Sequence, residues 1–298
     1  MYIDTHAHLW FDDYKDDLDQ VIERAVATGV EKMIVPGTDI ESSRKAIELA
    51  KKYPNKIFAA VGIHPEEVLN NNFEETPPAF GVPTRPLAGS PVEESPLVQL
   101  QKLLDGQDLI KAIGEIGTDA STQELRGCMN AQKELFKSQC EIALEYDLPI
   151  IVHTRESLDE ALVVLDSLPK MPRGQFHCFS HDEEGIKQVL SRGFYVSFCG
   201  NISWSKRVAR LVSLVPDDRL LLETDSPLMV PRDKKGNPIH IDKSSDHSPK
   251  IAQGSELGDR NEPANVVYLA QLITTLRGQK LEDIEKMSTD NAIRLFRL

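Results

Sequence analysis

The feature that most constrains this chain is a regular alternation of short apolar runs with amphipathic helical segments. Eight runs have the length of strands and are rich in Ile, Val, Leu and Phe: YIDTHAHL, KMIVPG, IFAAVGIHP, IKAIGEIG, LPIIVHTR, GQFHCFS, FYVSFCG and RLLLETDSP. A helix is predicted around 15–28, and the next one begins with Asp39 or Ser42 as its cap. Further helices are predicted around 129–147, from near Ser157, and around 182–192, 205–214, 263–277 and 281–296. Apolar strands that alternate with helices indicate a parallel sheet covered on its outer face. Eight such units predict an α/β fold, a (β/α)8 TIM barrel.

A doubly wound open sheet is the alternative architecture. Such a sheet usually carries a glycine-rich phosphate loop after its first strand, and YIDTHAHL is not followed by one. We therefore expect residues 1–298 to form a single barrel. Two polar stretches, at about 70–97 and 229–262, follow the third and eighth runs and would lie on the C-terminal face, where barrel active sites are built. They either shape a substrate cleft or are tolerated surface insertions.

The composition excludes several classes of protein. No apolar stretch approaches the roughly 20 residues that span a bilayer, and the N-terminus lacks the basic segment of a secretory signal. We expect a cytoplasmic protein, with access to the nucleus if the cell is eukaryotic. The four cysteines lack the spacing of a disulfide framework or zinc ribbon. A net charge of −13 disfavours nonspecific binding to nucleic acid and to anionic membranes, but bound cations can still attract a phosphate substrate locally.

Residues of metal-ligand type occur near the ends of five of the predicted strands. They are His6, His8, Glu115, His153, His177 and Asp225. His6 and His8 are two residues apart, so on a strand both point to the same side. The plainer interpretation is six separate, solvated strand ends. Charged groups that close buried strands are costly to desolvate unless they are paired or bind a metal, and we therefore predict a metal centre.

The ligand types indicate which metals the centre would take. Imidazoles and carboxylates suit Zn, Mn, Ni, Co or Fe better than Ca, and Mg if water completes its coordination. Six ligands exceed the needs of one tetrahedral site, so we expect two divalent ions, with Mg, Mn and Zn as the candidates. His6, His8 and Asp225 come from the first and eighth strands and would bind one ion. His153 and His177 would bind the other, with Glu115 as a bridge.

Several motifs of the chain resemble those of one family. DTHAHL, GIHP, GEIG, IVHTR, FHCFS, ETDSP and RNEP occur in the order and spacing of the TatD family of metal-dependent deoxyribonucleases, in the metallo-dependent hydrolase superfamily. TDNAIRLF resembles the C-terminal ending of the family. The chain departs from the family where GEIGTDA replaces the frequent GEIGLDY, with Thr118 and Ala120 in place of a Leu and an aromatic residue. Its two polar stretches also exceed the usual length, so the departures concern the substrate rather than the metal ligands.

The resemblance implies hydrolysis of DNA phosphodiesters, often from the 3′ end. We expect a 3′–5′ exonuclease that favours single-stranded or frayed 3′ ends, because a flexible strand reaches the floor of a barrel mouth more easily than a stiff duplex. His64 in GIHP resembles a family histidine near the substrate phosphate, where it would bind the phosphate or donate a proton; otherwise it caps a turn before Pro65. Arg155 would hold a phosphate as a bidentate donor or pair with a neighbouring acid.

Other polar residues near the strand ends have supporting roles in this interpretation. Glu223 is two residues before Asp225, so it would share its face and either support a ligand or assist a further metal. Asp4 would orient a ligand imidazole or accept a backbone hydrogen bond. Three residues of the RNEP motif are expected to hold the rim of the barrel together: Arg260, Asn261 and Glu262.

The expected mechanism is attack on phosphorus by a water that two metal ions activate. Asp225 would accept the proton of that water, and His64 or a metal-bound water would protonate the leaving 3′ oxygen. One rival is an amidohydrolase-type enzyme that cuts a C–N or ester bond of a small molecule with the same ions. The other is a non-catalytic metal-binding protein. Basic residues of the second polar stretch favour a groove for nucleic acid over a small-molecule pocket.

Overall fold

A computed structural model describes residues 1–70, 94–106, 108–241, 249–251 and 258–298. Eight parallel strands form one sheet in the order of the chain. They are β1 (Tyr2–Asp4), β2 (Val30–Pro36), β3 (Ile57–Val61), β4 (Ile110–Asp119), β5 (Ile150–Arg155), β6 (Gly174–Phe176), β7 (Tyr195–Phe198) and β8 (Leu220–Leu222). This sequential order confirms the predicted (β/α)8 barrel and excludes the doubly wound alternative, in which the strand order reverses.

The barrel closes between its eighth and first strands. The Thr5 amide donates to the Leu222 carbonyl over 3.0 Å, and the Asp225 amide donates to the His6 carbonyl over 2.9 Å. Ala7 and Ser226 form an isolated parallel β-bridge, which lies one residue further towards the mouth than His6 and Asp225. The segments that carry His6 and Asp225 are therefore adjacent in space, although they are more than 200 residues apart in the chain.

Helices follow the strands on the outside of the barrel. They are α1 (Leu18–Ala27), α2 (Ile40–Lys52), α3 (Pro96–Leu104), α4 (Gln123–Gly127), α5 (Met129–Glu145), α6 (Leu158–Asp166), α7 (Glu183–Ser191), α8 (Lys206–Leu211), α9 (Val266–Arg277) and α10 (Leu281–Phe296). Of the two predicted caps of α2, Asp39 is the N-cap, and Ser42 at the third helical position completes a reciprocal capping box with it. The sequence analysis missed α3 and α4. In α3, Ser95 caps the helix and Pro96 occupies its first position.

Apolar side chains fill both faces of the sheet. A cluster that includes Ile3, Ile34, Ile151 and Leu221 draws one or two buried residues from seven of the strands, and α10 packs Phe296 into it. A larger cluster joins the opposite faces of the strands to the surrounding helices. Each fully buried Ile or Leu contributes on the order of 1.5–3 kcal/mol to folding, so the barrel is a rigid support for the residues at its mouth.

The two polar stretches are described only in part. Residues 71–93 of the first stretch lie outside the described residues, as do 242–248 and 252–257 of the second. The described part of the second contains a short antiparallel pair that was not predicted, β9 (Ile239–Ile241) and β10 (Pro249–Ile251). Among the described helices, none combines the length and the apolar composition needed to cross a bilayer.

Candidate metal centre

The barrel brings all six predicted metal ligands to one mouth. His6 and His8 follow β1, His153 lies in β5 and His177 follows β6 directly. Two placements differ from the prediction. Glu115 lies in the middle of β4 rather than at its end, and Asp225 lies three residues beyond the end of β8. The strand register shifts between Ile113 and Ile116, so the pairing of β4 with β5 is irregular around Glu115.

The first group of ligand atoms combines two imidazoles with two carboxylates. His6 Nε2 and His8 Nε2 are 3.0 Å apart. Glu115 Oε2 lies 3.4 Å from the first of these nitrogens and 3.5 Å from the second. Asp225 Oδ1 lies 3.6 Å from His6 Nε2 and 3.5 Å from His8 Nε2. Four potential ligand atoms from three parts of the chain therefore surround one point.

The second group lies on the other side of the same glutamate. Glu115 Oε1 is 2.8 Å from His153 Nδ1 and 2.8 Å from His177 Nε2. The two ring nitrogens are 3.3 Å apart. Glu115 therefore presents one carboxylate oxygen to each group, which is the arrangement that a bridging ligand requires.

The donor set and its spacing fit divalent cations. Ligand bonds of 2.0–2.2 Å in a tetrahedral site separate the ligand atoms from one another by about 3.3–3.6 Å, and the distances between nitrogens and carboxylate oxygens in the first group fall in that range. His6, His8 and His177 all direct Nε2 to the centre, while their buried Nδ1 atoms have no hydrogen-bond partner among the described residues. Neutral imidazoles and carboxylates of this kind suit Zn and Mn, and Mg with water as a further ligand.

The electrostatics of the centre also call for positive charge. Burial alone would raise the pKa of Glu115, but the imidazoles of His177, His153 and His6 hold that pKa well below its ordinary value. Burial likewise opposes ionisation of Asp225, whose pKa His8 and His6 nevertheless lower. The pKa of His153 is raised to about 10, because Asp119 and Glu115 outweigh the effect of its burial. A divalent cation at this centre would supply the positive charge that these buried carboxylates call for.

Asp225 has an unusual backbone conformation. Its φ of 56° lies in the left-handed region, which Asp and Asn tolerate better than most residues. The alternation of a strand therefore ends before Asp225. Glu223, two residues earlier, accepts hydrogen bonds from Ser197 Oγ at 2.7 Å and from the Cys178 amide. Burial raises the pKa of Glu223 to about 8, and its carboxylate lies 3.9 Å from Nδ1 of His177, so its role in supporting a ligand stays a prediction.

Asp119 is a site residue that the sequence analysis missed. Its carboxylate Oδ2 lies 3.0 Å from His153 Nε2, on the side of the ring opposite Glu115. A carboxylate that holds the outer nitrogen of a ligand histidine fixes both the tautomer and the orientation of the ring. Asp119 also accepts the Ser121 amide over 2.7 Å, so its own position is fixed. The signal was present in the sequence, since GEIGTDA continues the strand beyond Glu115.

His64 has the capping role considered for it, and its role towards the substrate stays a prediction. Its Nδ1 accepts the Glu66 amide over 3.3 Å and caps the short 3-10 helix Pro65–Val68. An imidazole whose Nδ1 accepts a hydrogen bond carries its proton on Nε2. That atom lies 3.5 Å from Glu115 Oε1, and the His64 ring meets the His153 ring with centroids 4.5 Å apart. The capping interaction thus directs an N–H donor to the metal centre.

Arg155 lies at the last position of β5 and does not contact the six ligands. Its side chain is exposed, and no acidic residue that the structure describes forms an ion pair with it. The predicted alternative of a salt bridge is therefore not seen among these residues. Its guanidinium is the charged group two positions after His153 on the same rim.

Asp4 and the RNEP motif stabilise the closure of the barrel. Asp4 accepts the His6 amide over 3.2 Å and both the amide and the hydroxyl of Thr224, at 3.0 and 2.6 Å, so it holds backbone rather than a ligand imidazole. Asn261 Nδ2 donates to the Thr224 carbonyl over 2.9 Å. Arg260 binds Asp17 and Glu262 at 2.7 and 2.9 Å. The second polar stretch is thereby tied to the segment after β1, as expected of a rim clasp.

Comparison with known proteins identifies the family. The model of the family described as TatD related DNase matches residues 3–297. The chain is 31% identical to the metal-dependent hydrolase YabD of Bacillus subtilis, and the match covers 100% of both chains. It is 28% identical to the 3′-5′ ssDNA/RNA exonuclease TatD of Salmonella typhimurium, over 98% of each chain. The crystal structure of the TatD homologue YJJV of Escherichia coli superposes with a TM-score of 0.78 at 25% identity, covering 100% of this chain and 98% of that one. The protein therefore belongs to the TatD family of metal-dependent hydrolases.

Proposed function

We propose that this protein is a deoxyribonuclease that hydrolyses phosphodiester bonds of single-stranded or frayed DNA from the 3′ end. The observation that carries the proposal is the placement of Glu115, with one carboxylate oxygen towards His6 and His8 and the other towards His153 and His177. Two ions on either side of one carboxylate form a clamp suited to phosphoryl transfer. The exonuclease name of the 28% identical Salmonella relative supports the choice of substrate.

We assign the ligands of the two ions as follows. His6, His8, Asp225 and Glu115 Oε2 would hold one ion, and His153, His177 and Glu115 Oε1 the other. When bound, such ions would lower the pKa of water and neutralise the charge that develops on phosphoryl oxygens.

The protein's own residues would supply the proton transfers and the positioning. The Asp225 carboxylate would accept a proton from the attacking water while the new P–O bond forms and the bond from phosphorus to the 3′ oxygen breaks. The Nε2–H of His64 would give its proton to the departing 3′ oxygen, because Nδ1 is already occupied by the Glu66 amide. The exposed Arg155 would bind a non-bridging phosphate oxygen.

A comparison of three DNA substrates tests the proposal. The protein is incubated with a 3′-tailed duplex, a blunt duplex and a closed circular plasmid, each with Mg or Mn, and the products are followed in time. We expect the 3′ tail to be shortened first. Nicking of the circle as fast as the tail is trimmed would show that the end preference is wrong. If no DNA is cut but small esters or cyclic amides are, the amidohydrolase alternative replaces this one.

Removal of metal should abolish activity and return of metal should restore it. EDTA is expected to stop cleavage of a labelled strand, and Mg or Mn to restore it, because the bound ions would activate the attacking water and neutralise the charge that develops on phosphoryl oxygens. Calorimetric titration of the EDTA-treated protein with Mn should show two equivalents per chain. Uptake of one equivalent, or of none, contradicts the assignment of two ions independently of any substrate.

Replacing Arg155 by Ala should weaken the use of DNA without loss of metal. We expect a rise in KM or a fall in kcat on a single strand, because a charge-assisted phosphate contact is lost, while the two equivalents of Mn remain. Arg297→Ala is the matched control: Arg297 is an exposed arginine paired with Asp147 at 2.7 Å, and Asp147 lies just before β5, at the end of the barrel opposite the mouth. Equal effects of the two substitutions would mean that Arg155 acts only through overall charge.

A further inference from the structure

A cavity of about 500 Å³ lies beside the metal centre. Its walls are largely apolar and include Phe11, Trp204, Pro227 and Leu228. Trp204 is 43% exposed and Leu228 is 50% exposed. Large apolar side chains that are exposed together around a concave surface mark a binding site more often than isolated ones do.

The cavity shares a wall with the metal centre. Phe11 lines it, and the Phe11 ring lies 5.4 Å from the ring of His8 between centroids. Pro227 lines it as well and follows Asp225 by two residues. A group bound in the cavity is therefore separated from the proposed ligands by a single layer of side chains.

Both arginines at the cavity are already paired, and the other charged residues of its lining are the acids Asp13 and Asp259. Arg232 binds Asp259 at 3.1 Å. Arg260 binds Asp17 and Glu262 at 2.7 and 2.9 Å. Because each guanidinium is neutralised by an acid of the protein, the cavity offers little attraction for a phosphate. Its apolar and aromatic walls instead suit an uncharged planar group.

We propose that this cavity is a nucleobase subsite, in which Trp204 and its apolar neighbours hold a base next to the scissile phosphate. The proposal rests on the nuclease function proposed above. A base in the cavity would stack on the exposed aromatic ring, and such stacking does not depend strongly on sequence because every base has a π face. Binding there would depend little on salt, since no phosphate is neutralised.

The test combines two variants with a substrate that lacks one base. Trp204→Ala should raise KM for a single-stranded oligonucleotide by about tenfold, within the roughly 5- to 150-fold range expected for one lost stacking contact, with kcat little changed. Trp204→Phe keeps an aromatic face and should stay within about threefold of the unmodified protein. Substrates that carry an abasic tetrahydrofuran unit at successive positions from the 3′ end are then compared. At the position that occupies the cavity, the unmodified protein and Trp204→Ala should have the same KM.

The controls separate this proposal from the function on which it rests. Val163→Ala removes an apolar side chain that is 62% exposed on α6, outside the cavity, and should leave KM unchanged. If the unmodified protein cuts DNA but Trp204→Ala has no effect, or has the same effect on every abasic substrate, the subsite is wrong and the nuclease function stands. If the unmodified protein cuts no DNA, both proposals fail.

Discussion

Replacing Asp225 by Asn is expected to lower kcat for DNA cleavage by at least about 10²-fold, the lower range for the loss of a general base. The substitution removes a charge and a proton acceptor while it preserves the shape of the side chain. The backbone should also be preserved, because Asn tolerates the left-handed φ of 56° as well as Asp does. The measurement is steady-state cleavage of a labelled single strand at saturating Mn.

The matched control for this substitution is Asp218→Asn. Asp218 is an exposed acid just before β8, paired with Arg219 at 2.9 Å. The Asp218→Asn substitution makes the same change in net charge outside the mouth, so the kcat of this variant should equal that of the unmodified protein. An Asp225→Asn variant with near-normal kcat would rule out Asp225 as the proton acceptor. A normal kcat for Asp218→Asn and a low one for Asp225→Asn would place the effect at the centre rather than in overall charge.

Much of the fold could be predicted because its signals are local. Apolar runs predict the eight strands, and Asp39, one of the two predicted caps, begins α2. The missed helix α3 begins with Ser95 and Pro96, which are a strong start signal, but the surrounding stretch is rich in Pro and Gly and its composition indicates a loop. The pair β9 and β10 was missed because strands of three residues carry too little periodicity to be recognised.

The site could be predicted only as far as barrel topology alone determines it. The carboxyl ends of parallel strands meet at one mouth, and this placed the six ligand-type residues together before any distance was known. Tertiary contacts decided the rest. Asp4 engages Thr224, which is 220 residues away, rather than an imidazole, and Glu223 accepts a hydrogen bond from Ser197 Oγ, 26 residues away. No local pattern in the sequence encodes either contact.

Replacing His8 by Ala should affect only one of the two proposed metal sites, and this variant is the reference for the Glu115 substitution described next. His8 Nε2 lies within 3.5 Å of Glu115 Oε2 and of Asp225 Oδ1, and no contact joins it to His153 or His177. Its loss should therefore weaken the first site and leave the second, so that calorimetry with Mn shows one strong equivalent in place of two.

Replacing Glu115 by Gln should instead weaken both sites at once. The amide keeps the size of the side chain, but it loses the charge, and its nitrogen turns a donor towards one of the two groups of imidazoles. Changes to the partners of metal ligands cost about 10- to 100-fold in metal affinity, so loss of a shared ligand should exceed that at each site. Calorimetry should then show no strong equivalent of Mn, and cleavage should fall further than in Asp225→Asn.

A circular dichroism spectrum like that of the unmodified protein would establish that the barrel is intact. Retention of one strong equivalent, as for His8→Ala, would mean that Glu115 serves one ion only and that the two halves of the centre do not share a bridge.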